Sequence, residues 1–317
     1  MTIDSLSEPR IIAGFWRRLA AFFLDCLLLA VVGMALGYFF TQELARLGPW
    51  GQLLGFSIAA VYFAVQNSKM GGGQTVGKRL LKIRVVAKSG TPLSVPAAFA
   101  RFLPLAAPWF LNSMLFSESV FFSYWFYALS IAVFGIGLPV VYLYVFNRKS
   151  RQSLGDLLVA SYVVSTDASG HVLAPAVWKG HVAACALLAM ASGIAPYFIK
   201  HFTSSEPFAS LISITDAVDS QPWVMHAQVY KGKTFPISAK NNDEASTFLS
   251  VVAYSKDPDI ANPQRATRLA KLALATDKTA AGLDVIQVML AHGYDIGIAS
   301  YWRSVHYVHS PAEWRTQ

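Results

Sequence analysis

The sequence predicts an α-helical integral membrane protein with about five transmembrane helices, followed by a C-terminal soluble α+β domain. Three observations predict it. Of 317 residues, 54% are hydrophobic and only 14% charged, where a soluble domain carries about 25% charged residues. Mean hydropathy is +0.42, and the apolar residues come in blocks near the ~20 residues that cross a hydrocarbon core. Charge also divides the chain: residues 1–199 hold 15 Lys+Arg and 7 acids, a surplus of eight, while residues 200–317 hold 11 of each. So much apolar content excludes disorder. Nucleic-acid binding needs a basic face on a soluble domain, and the block that reads as soluble is neutral.

Leu19–Phe40 is apolar over 22 residues apart from Asp25. It is too long for a signal-peptide core and no Ala-x-Ala site follows, so it reads as a retained first span. Leu47–Gln66 is the second, entered through Gly48-Pro49-Trp50 and forming an antiparallel hairpin with the first. Phe102–Phe116 is a third, shorter segment that carries Pro104 and Pro108. Val120–Phe146 is a fourth and Val177–Ile199 a fifth. The implied domains are 1–166, transmembrane with cytoplasmic loops; 177–199, a last transmembrane helix; and 200–317, an extracytoplasmic α+β domain.

Orientation follows from Lys and Arg in the connections. Residues 1–18 hold three, 41–46 one, 68–101 seven, 117–119 none and 147–179 four. That alternation fits a cytoplasmic N-terminus, five crossings and a C-terminal domain outside.

Between the second and third spans, Leu81–Val86 alternates apolar and basic residues before a Lys88-Ser89-Gly90 turn, which reads as a short strand and hairpin on the membrane surface. Ser94–Ala100 reads as the start of an interfacial helix. Gly72–Lys78 fits G-x-x-x-x-G-K, but Arg79 stands where Ser or Thr would hold magnesium, and no buried strand precedes it. We expect a flexible turn and no nucleotide. Cys26 and Cys185 both lie in apolar blocks, so no disulfide framework or four-cysteine zinc site is expected.

Arg18 and Asp25 are seven residues apart and share a helix face. Asp25 lies roughly a third of the way across the membrane, where a carboxylate costs a few kcal/mol and needs a partner or water. Arg101, at the same leaflet, is the expected partner, with Arg18 second. Two readings stay open: a cation- or proton-binding carboxylate in a transport path, or a structural ion pair. Asp156, after the fourth span, is read as a turn cap or a partner for the basic loop.

Three stretches carry a family resemblance. Ala13–Asp25 (AGFWRRLAAFFLD), Gly73–Val86 (GQTVGKRLLKIRVV) and Ser153–Val164 (SLGDLLVASYVV) resemble, in order and spacing, the motifs of the RDD family of bacterial membrane proteins, named for one arginine and two aspartates. The resemblance covers roughly residues 10–166. It implies that Arg18, Asp25 and Asp156 are the naming residues, and it implies a multi-pass protein of the bacterial inner membrane. Some members are proposed cation/proton antiporters, alone or with a partner. Gly155 stands where the family suggests histidine, and Ala160-Ser161 where it suggests Gly-Thr.

In the C-terminal block, Trp223–Tyr230 and Thr247–Tyr254 read as strands. Arg265–Ala275 reads as a helix capped by Asn262 with Pro263 first. Asp284–His292 and Ile296–His309 read as a hairpin through a Gly293-Tyr294-Asp295 turn. His306 and His309 fall on opposite strand faces, which is wrong for a shared metal. No catalytic order stands out, so neither an enzyme nor a cofactor is expected. The expected partners are the lipid bilayer and a membrane protein or a second copy of the chain. Two functions follow: cation or proton transport through Asp25, or a membrane-anchored scaffold or accessory protein whose outer domain binds a partner.

Overall fold

The structure is a computed structural model that describes residues 12–112, 114, 123–168, 170–172, 174–206, 208–234 and 246–317. Arg10, the connection 117–119 and the end of the third segment at Phe116 lie outside the described residues.

Helix α1 (Phe15–Leu47) is long and kinks at Phe40, where the backbone leaves helical geometry. Its buried stripe, Ala21, Asp25, Leu29, Gly33 and Gly37, repeats every four residues, the spacing of one helix face. A Gly48-Pro49-Trp50 turn leads to α2 (Gly51–Gln66). Two further long helices are α5 (Trp125–Phe146), with a π-helical turn at Ile131–Gly135, and α7 (Lys179–Thr203). Among the described residues, three stretches are long and apolar enough to cross a membrane: Phe15–Gln66, which holds both α1 and α2, Trp125–Phe146 and Lys179–Thr203. They expose large apolar side chains such as Phe23, Val31, Val141, Leu187 and Phe198, the surface of a membrane protein. Helix α4 (Val95–Asn112), carrying Pro104 and Pro108, falls outside that set. It takes in both the expected interfacial start and most of the expected third span as one helix.

Three short elements gather at the Arg18 end of α1. These are α3 (Val76–Leu80), β1 (Ile83–Ala87) and α6 (Leu154–Leu158), with β2 (Ser161–Ser165) following. The β1 strand is present, but its partner is not a local hairpin. It pairs antiparallel with β2, Ile83 opposite Ser165 and Ala87 opposite Ser161. Ile83, Val85 and Val163 pack against Ala13, Ala21 and Ala98, so the small sheet seats on α1 and α4.

The C-terminal domain is a four-stranded sheet with helices on one face. Helix α8 (Phe208–Asp219), which the sequence reading did not anticipate, leads into β3 (Val224–Thr234) and β4 (Ser246–Ser255). Helix α9 (Pro263–Thr276) crosses to β5 (Val285–Asp295), and β6 (Ser300–His309) and α10 (Pro311–Thr316) close the chain. Strand order is β3-β4-β5-β6, with only β4 and β5 parallel, because α9 supplies the crossover that parallel strands need. Asn262 caps α9 by accepting from Gln264 N–H at 3.1 Å, as expected. The core is Ile214, Val218, Leu249, Val251, Leu269, Ile286, Val288, Leu290 and Trp314, all at most 1% exposed. Ser255 and Asp257 tie the end of β4 to the helix start, with Arg265 bonding Asp257 at 2.6 Å and lying over the Trp223 ring.

The expected hairpin is present, but its turn is displaced. Gly293, Tyr294 and Asp295 belong to β5, and the chain reverses at Ile296–Ala299, with Gly297 at φ +76°. This tip does not face water. Ile296 is fully buried and Tyr294 is 6% exposed, against Leu44 and Leu36 of α1. Ile298 packs against a buried cluster of Leu29, Ala59, Phe63, Phe102, Ala106 and Phe110 from α1, α2 and α4. Trp109 donates to the Gly297 carbonyl at 3.0 Å. Two glycine pairs at four-residue spacing admit it. A Cβ on Gly33 would stand 2.7 Å from the Ala299 Cβ, and one on Gly51 2.7 Å from the Asp295 carbonyl oxygen. A Cβ on Gly37 would strike the Tyr294 hydroxyl, and one on Gly55 the Ile296 carbonyl.

Asp219, at the end of α8, has an Oδ1 with no hydrogen-bond partner among the described residues. Burial, with the nearby Asp216 charge adding to it, raises its pKa from 3.8 to about 6, against a lowering backbone bond from Ala227. The fold therefore prefers the protonated acid. This contribution is full below about pH 4 and is lost as pH rises through about 6. We expect Asp219→Asn to stabilise the C-terminal domain at pH 7 by on the order of 1–2 kcal/mol, the full linkage value of about 3 being reduced by solvent at a part-exposed group. Thermal melts at pH 5 and pH 7 should converge in the variant; a pH dependence equal to wild type would refute the assignment.

Candidate functional site

The site is built where α1, the end of α2, α3, α4 and α6 meet. Arg18 and Asp25 share a face of α1, as expected, yet they do not serve one another. Asp156 takes both arginines: Arg18 Nη2 donates to its Oδ2 at 2.7 Å and Arg101 Nε to its Oδ1 at 2.7 Å. Ser153 closes a capping box at the start of α6, with its N–H 3.0 Å and its hydroxyl 2.8 Å from Oδ2. Ser161 on β2 donates to Oδ1 at 3.1 Å. Asp156 is fully buried. Burial alone would raise its pKa, but the Arg101 and Arg18 charges and the Ser153 bonds outweigh that and hold the carboxyl well below the usual carboxylate range.

The expected pairing of Asp25 with Arg101 or Arg18 is therefore corrected. Among the described residues, Asp25 forms no ion pair. Its carboxylate accepts from three neutral donors: the Tyr62 hydroxyl at 2.7 Å, the Thr75 hydroxyl at 2.6 Å and the Gly77 N–H at 2.8 Å. The physical reason is position. Asp25 is fully buried under the start of α3, whose first-turn N–H groups need an acceptor, and Thr75 is that helix's N-cap. A Cβ on Gly77 would strike the Ala21 carbonyl, so glycine is what allows α3 to approach α1. The Gly77 amide in the phosphate-loop-like stretch is thus spent on a carboxylate of the chain itself.

Basic residues around this site staple backbone. Arg17 donates to the Leu81 carbonyl at 2.6 Å, Arg84 to Ala168 at 2.7 Å and Arg151 to Ile12 at 2.8 Å, and Arg18 also reaches the Arg151 carbonyl. The sequence marked these charges as cytoplasmic, but not as ties.

Lys78 is a site residue the sequence treated only as part of a decoy motif. Lys78 is half-buried, and its ammonium lies 3.4 Å from the Thr75 hydroxyl. Burial, then the neighbouring Arg101 charge, lowers its pKa to about 7, with Asp25 acting the other way. A cavity of about 260 Å³ opens beside it, lined by Arg18, Lys78, Arg101 and Asn67 together with apolar side chains of α1, α4 and α5.

Two departures from the motif have local explanations. A Cβ on Gly155 would strike the Arg101 carbonyl, which leaves no room for histidine. Ala160 sits at φ 49°, a left-handed conformation that suits glycine. That strain costs an L-residue roughly 1–2 kcal/mol, partly offset by the entropy glycine would lose. We expect Ala160→Gly to stabilise the protein by about 0.5–1 kcal/mol, read as a raised melting temperature of the purified protein; a lowered one would count against the strain.

Elsewhere, His306 bonds Gln287 at 2.8 Å and His309 meets Trp314 edge to face, so the two do not converge. Among the described residues, no three His, Cys, Asp or Glu side chains gather in a way that could hold a metal ion.

Helices that cross a membrane, with a buried Arg-Asp-Arg network at one end, define a membrane protein of the kind the motifs suggest. Residues 12–160 match the model of the RDD family, and this part of the chain is an RDD-family domain. Over 151 residues the chain is 24% identical to "Uncharacterized protein YckC" of Bacillus subtilis (strain 168), an alignment covering 48% of this chain and 83% of that protein. No solved structure matches. Helix α7 and the C-terminal domain lie beyond the family match.

Proposed function

We propose that this protein is a membrane-anchored accessory protein that holds an α+β domain in a fixed orientation outside the membrane, where the open edge of its sheet receives a partner. The observation that carries this reading is the burial of the β5–β6 tip between α1, α2 and α4. A domain tethered only by α7 would be free to swing; a domain plugged into the helices is presented. Strand β6 is a sheet edge whose backbone is open to pairing. Tyr301 and Val308, 49% and 53% exposed, stand on that strand.

The same contacts support the expected topology. The β1–β2 sheet meets α1 near Ala21, while the outer domain meets it at Gly33 and Gly37, 12 or more residues further along, about 18 Å at helical rise. The two units therefore sit toward opposite ends of one crossing, as five crossings with a cytoplasmic N-terminus require. A periplasm-active reporter fused after Gln317 is expected to be active; activity of a cytoplasm-only reporter there would refute this arrangement.

Transport through Asp25 is the second reading, favoured by one observation: its buried carboxylate has no ion-pair partner among the described residues. Against it, no acid lines the neighbouring cavity, whose charged residues are Arg18, Lys78 and Arg101, and aromatic side chains with Ile298 fill the path toward the outer side. A photo-crosslinking residue at Val308 should give discrete adducts in cells, and one at Lys271 on α9 should not. Cation-dependent proton flux in proteoliposomes that vanishes in Asp25→Asn, without such adducts, would replace the accessory reading by the transport one.

A further inference from the structure

We propose that the cavity between α1, α4 and α5 is a binding site for an anionic phospholipid, its phosphate held by Arg101 and Lys78 and its first methylenes lying between the helices. This does not rest on the accessory reading above.

The walls and the base of the cavity differ in kind. Toward the membrane it is bounded by Leu19, Leu105, Val141 and Val145. These residues are 36–62% exposed, so the gap between α1 and α5 opens sideways into lipid. At the base stand Arg18, Lys78 and Arg101, and neither Asp25 nor Asp156 lines it. Asp156 is taken up by Arg18 and Arg101, and Asp25 by Tyr62, Thr75 and Gly77, so the charged groups that line the cavity are cations.

Two groups at the base have unused bonding capacity. Arg101 gives only its Nε to Asp156, and its two terminal nitrogens carry no hydrogen bond among the described residues. A planar guanidinium with two donors left suits a phosphate. Asn67 is 2% exposed and lines the cavity, and its Oδ1 has no partner while its Nδ2 donates to the Phe63 carbonyl at 2.9 Å. A buried acceptor left unmade is costly. A headgroup that carries a hydroxyl beside its phosphate, as phosphatidylglycerol does, supplies both the anion and the missing donor. A basic pocket between helices at the cytoplasmic surface is where such headgroups collect.

The test uses the full chain purified in detergent, exposed to mixed micelles of phosphatidylglycerol or phosphatidylcholine, with bound lipid counted by native mass spectrometry and thermal stability measured in parallel. Phosphatidylglycerol should be retained and protective, and phosphatidylcholine should not. Lys78→Gln should lower phosphatidylglycerol retention about fivefold, the loss expected for one cation near a phosphate. Because that change could disturb α3, Val141→Trp provides a second variant that fills the chain slot without touching a charge, and it should also lower retention. Equal retention of both lipids, or full phosphatidylglycerol retention in both variants, would overturn the proposal. Glycerol phosphate or inorganic phosphate protecting as strongly as the lipid would assign the cavity to a soluble anion and overturn the lipid assignment.

Discussion

Asp156→Asn should remove most of the protein from the membrane. The carboxylate is fully buried and neutralises two guanidinium groups at 2.7 Å while capping α6 and receiving Ser161. The amide keeps the shape, loses the charge and turns one acceptor into a donor that faces an arginine. Removing one member of a buried ion pair typically costs about 3–5 kcal/mol, which is comparable to the whole stability of many domains. Because the pKa of Asp156 lies below the unfolded value, its contribution is present above about pH 4 and lost only as pH falls further. The deficit should therefore be the same from pH 5 to pH 8. Asp25→Asn is the control. Its remaining oxygen can still accept from Tyr62 and Gly77, and only the Thr75 bond is disturbed, at about 1 kcal/mol. Membrane abundance, followed by size-exclusion of a fluorescent fusion, should fall far more in Asp156→Asn than in Asp25→Asn. The reverse order would mean that the network at Asp156 is not what holds this end together.

The second large effect is expected at Gly55. Any side chain there meets the Ile296 carbonyl, a backbone atom that cannot rotate away. Overpacking of this kind costs about 1–3 kcal/mol where neighbours yield. Here the neighbour is the tip of a hairpin, and it yields by leaving. Undocking would expose Ile296 and Tyr294, each contributing roughly 1.5–3 kcal/mol when buried, so Gly55→Leu should release the C-terminal domain while both units stay folded. Hydrogen exchange of the tip amides, Ile296–Ala299, should be slow in the parent and fast in Gly55→Leu, while the β4 and β5 amides stay protected in both. Unchanged protection of the tip would show that it tolerates the side chain and that the docking is loose.

Much of the fold was legible because its strongest determinants are local. Leu19–Phe40 and Val120–Phe146 announce helices by apolar run alone, and Asn262-Pro263 announces the start of α9 by cap chemistry. What escaped depends on contacts far apart in the chain. The alternation at 81–86 gave away a strand but not its partner, since β2 lies some eighty residues on. Arg18 and Asp156 stand 138 residues apart, so spacing favoured the nearer Asp25; only the motif resemblance marked all three, and it did not say which pair with which. The hairpin turn was misplaced for a different reason. Gly293-Tyr294-Asp295 has ordinary turn composition, whereas the true reversal, Ile296-Gly297-Ile298-Ala299, is apolar and reads as strand. A turn so apolar makes sense only once it is seen inside the helices. Lys78 was hidden by its resemblance to a nucleotide motif, and the site it helps form depends on α4 and α5 closing beside it.

The long reach of β1 to β2 and of Arg18 to Asp156 has a consequence for how the chain is made. At ordinary synthesis rates of 5–20 residues per second, Asp156 is added on the order of 10 s after Arg18. Through that interval α1 has already been handed to the membrane, with a guanidinium at its end that lacks the anion it will finally keep. The β1–β2 sheet cannot zip, and Arg101 cannot settle, until α5 has returned the chain to the end of α1 that carries Arg18. The ion network thus forms late at that end, and only if every preceding segment has taken its proper direction. A chain with one helix inverted would present Asp156 on the wrong side, leave two arginines unsatisfied and lack its seam of strands. The clasp at Asp156 thus closes only in chains whose helices have brought Arg18, Arg101 and Asp156 to the same end.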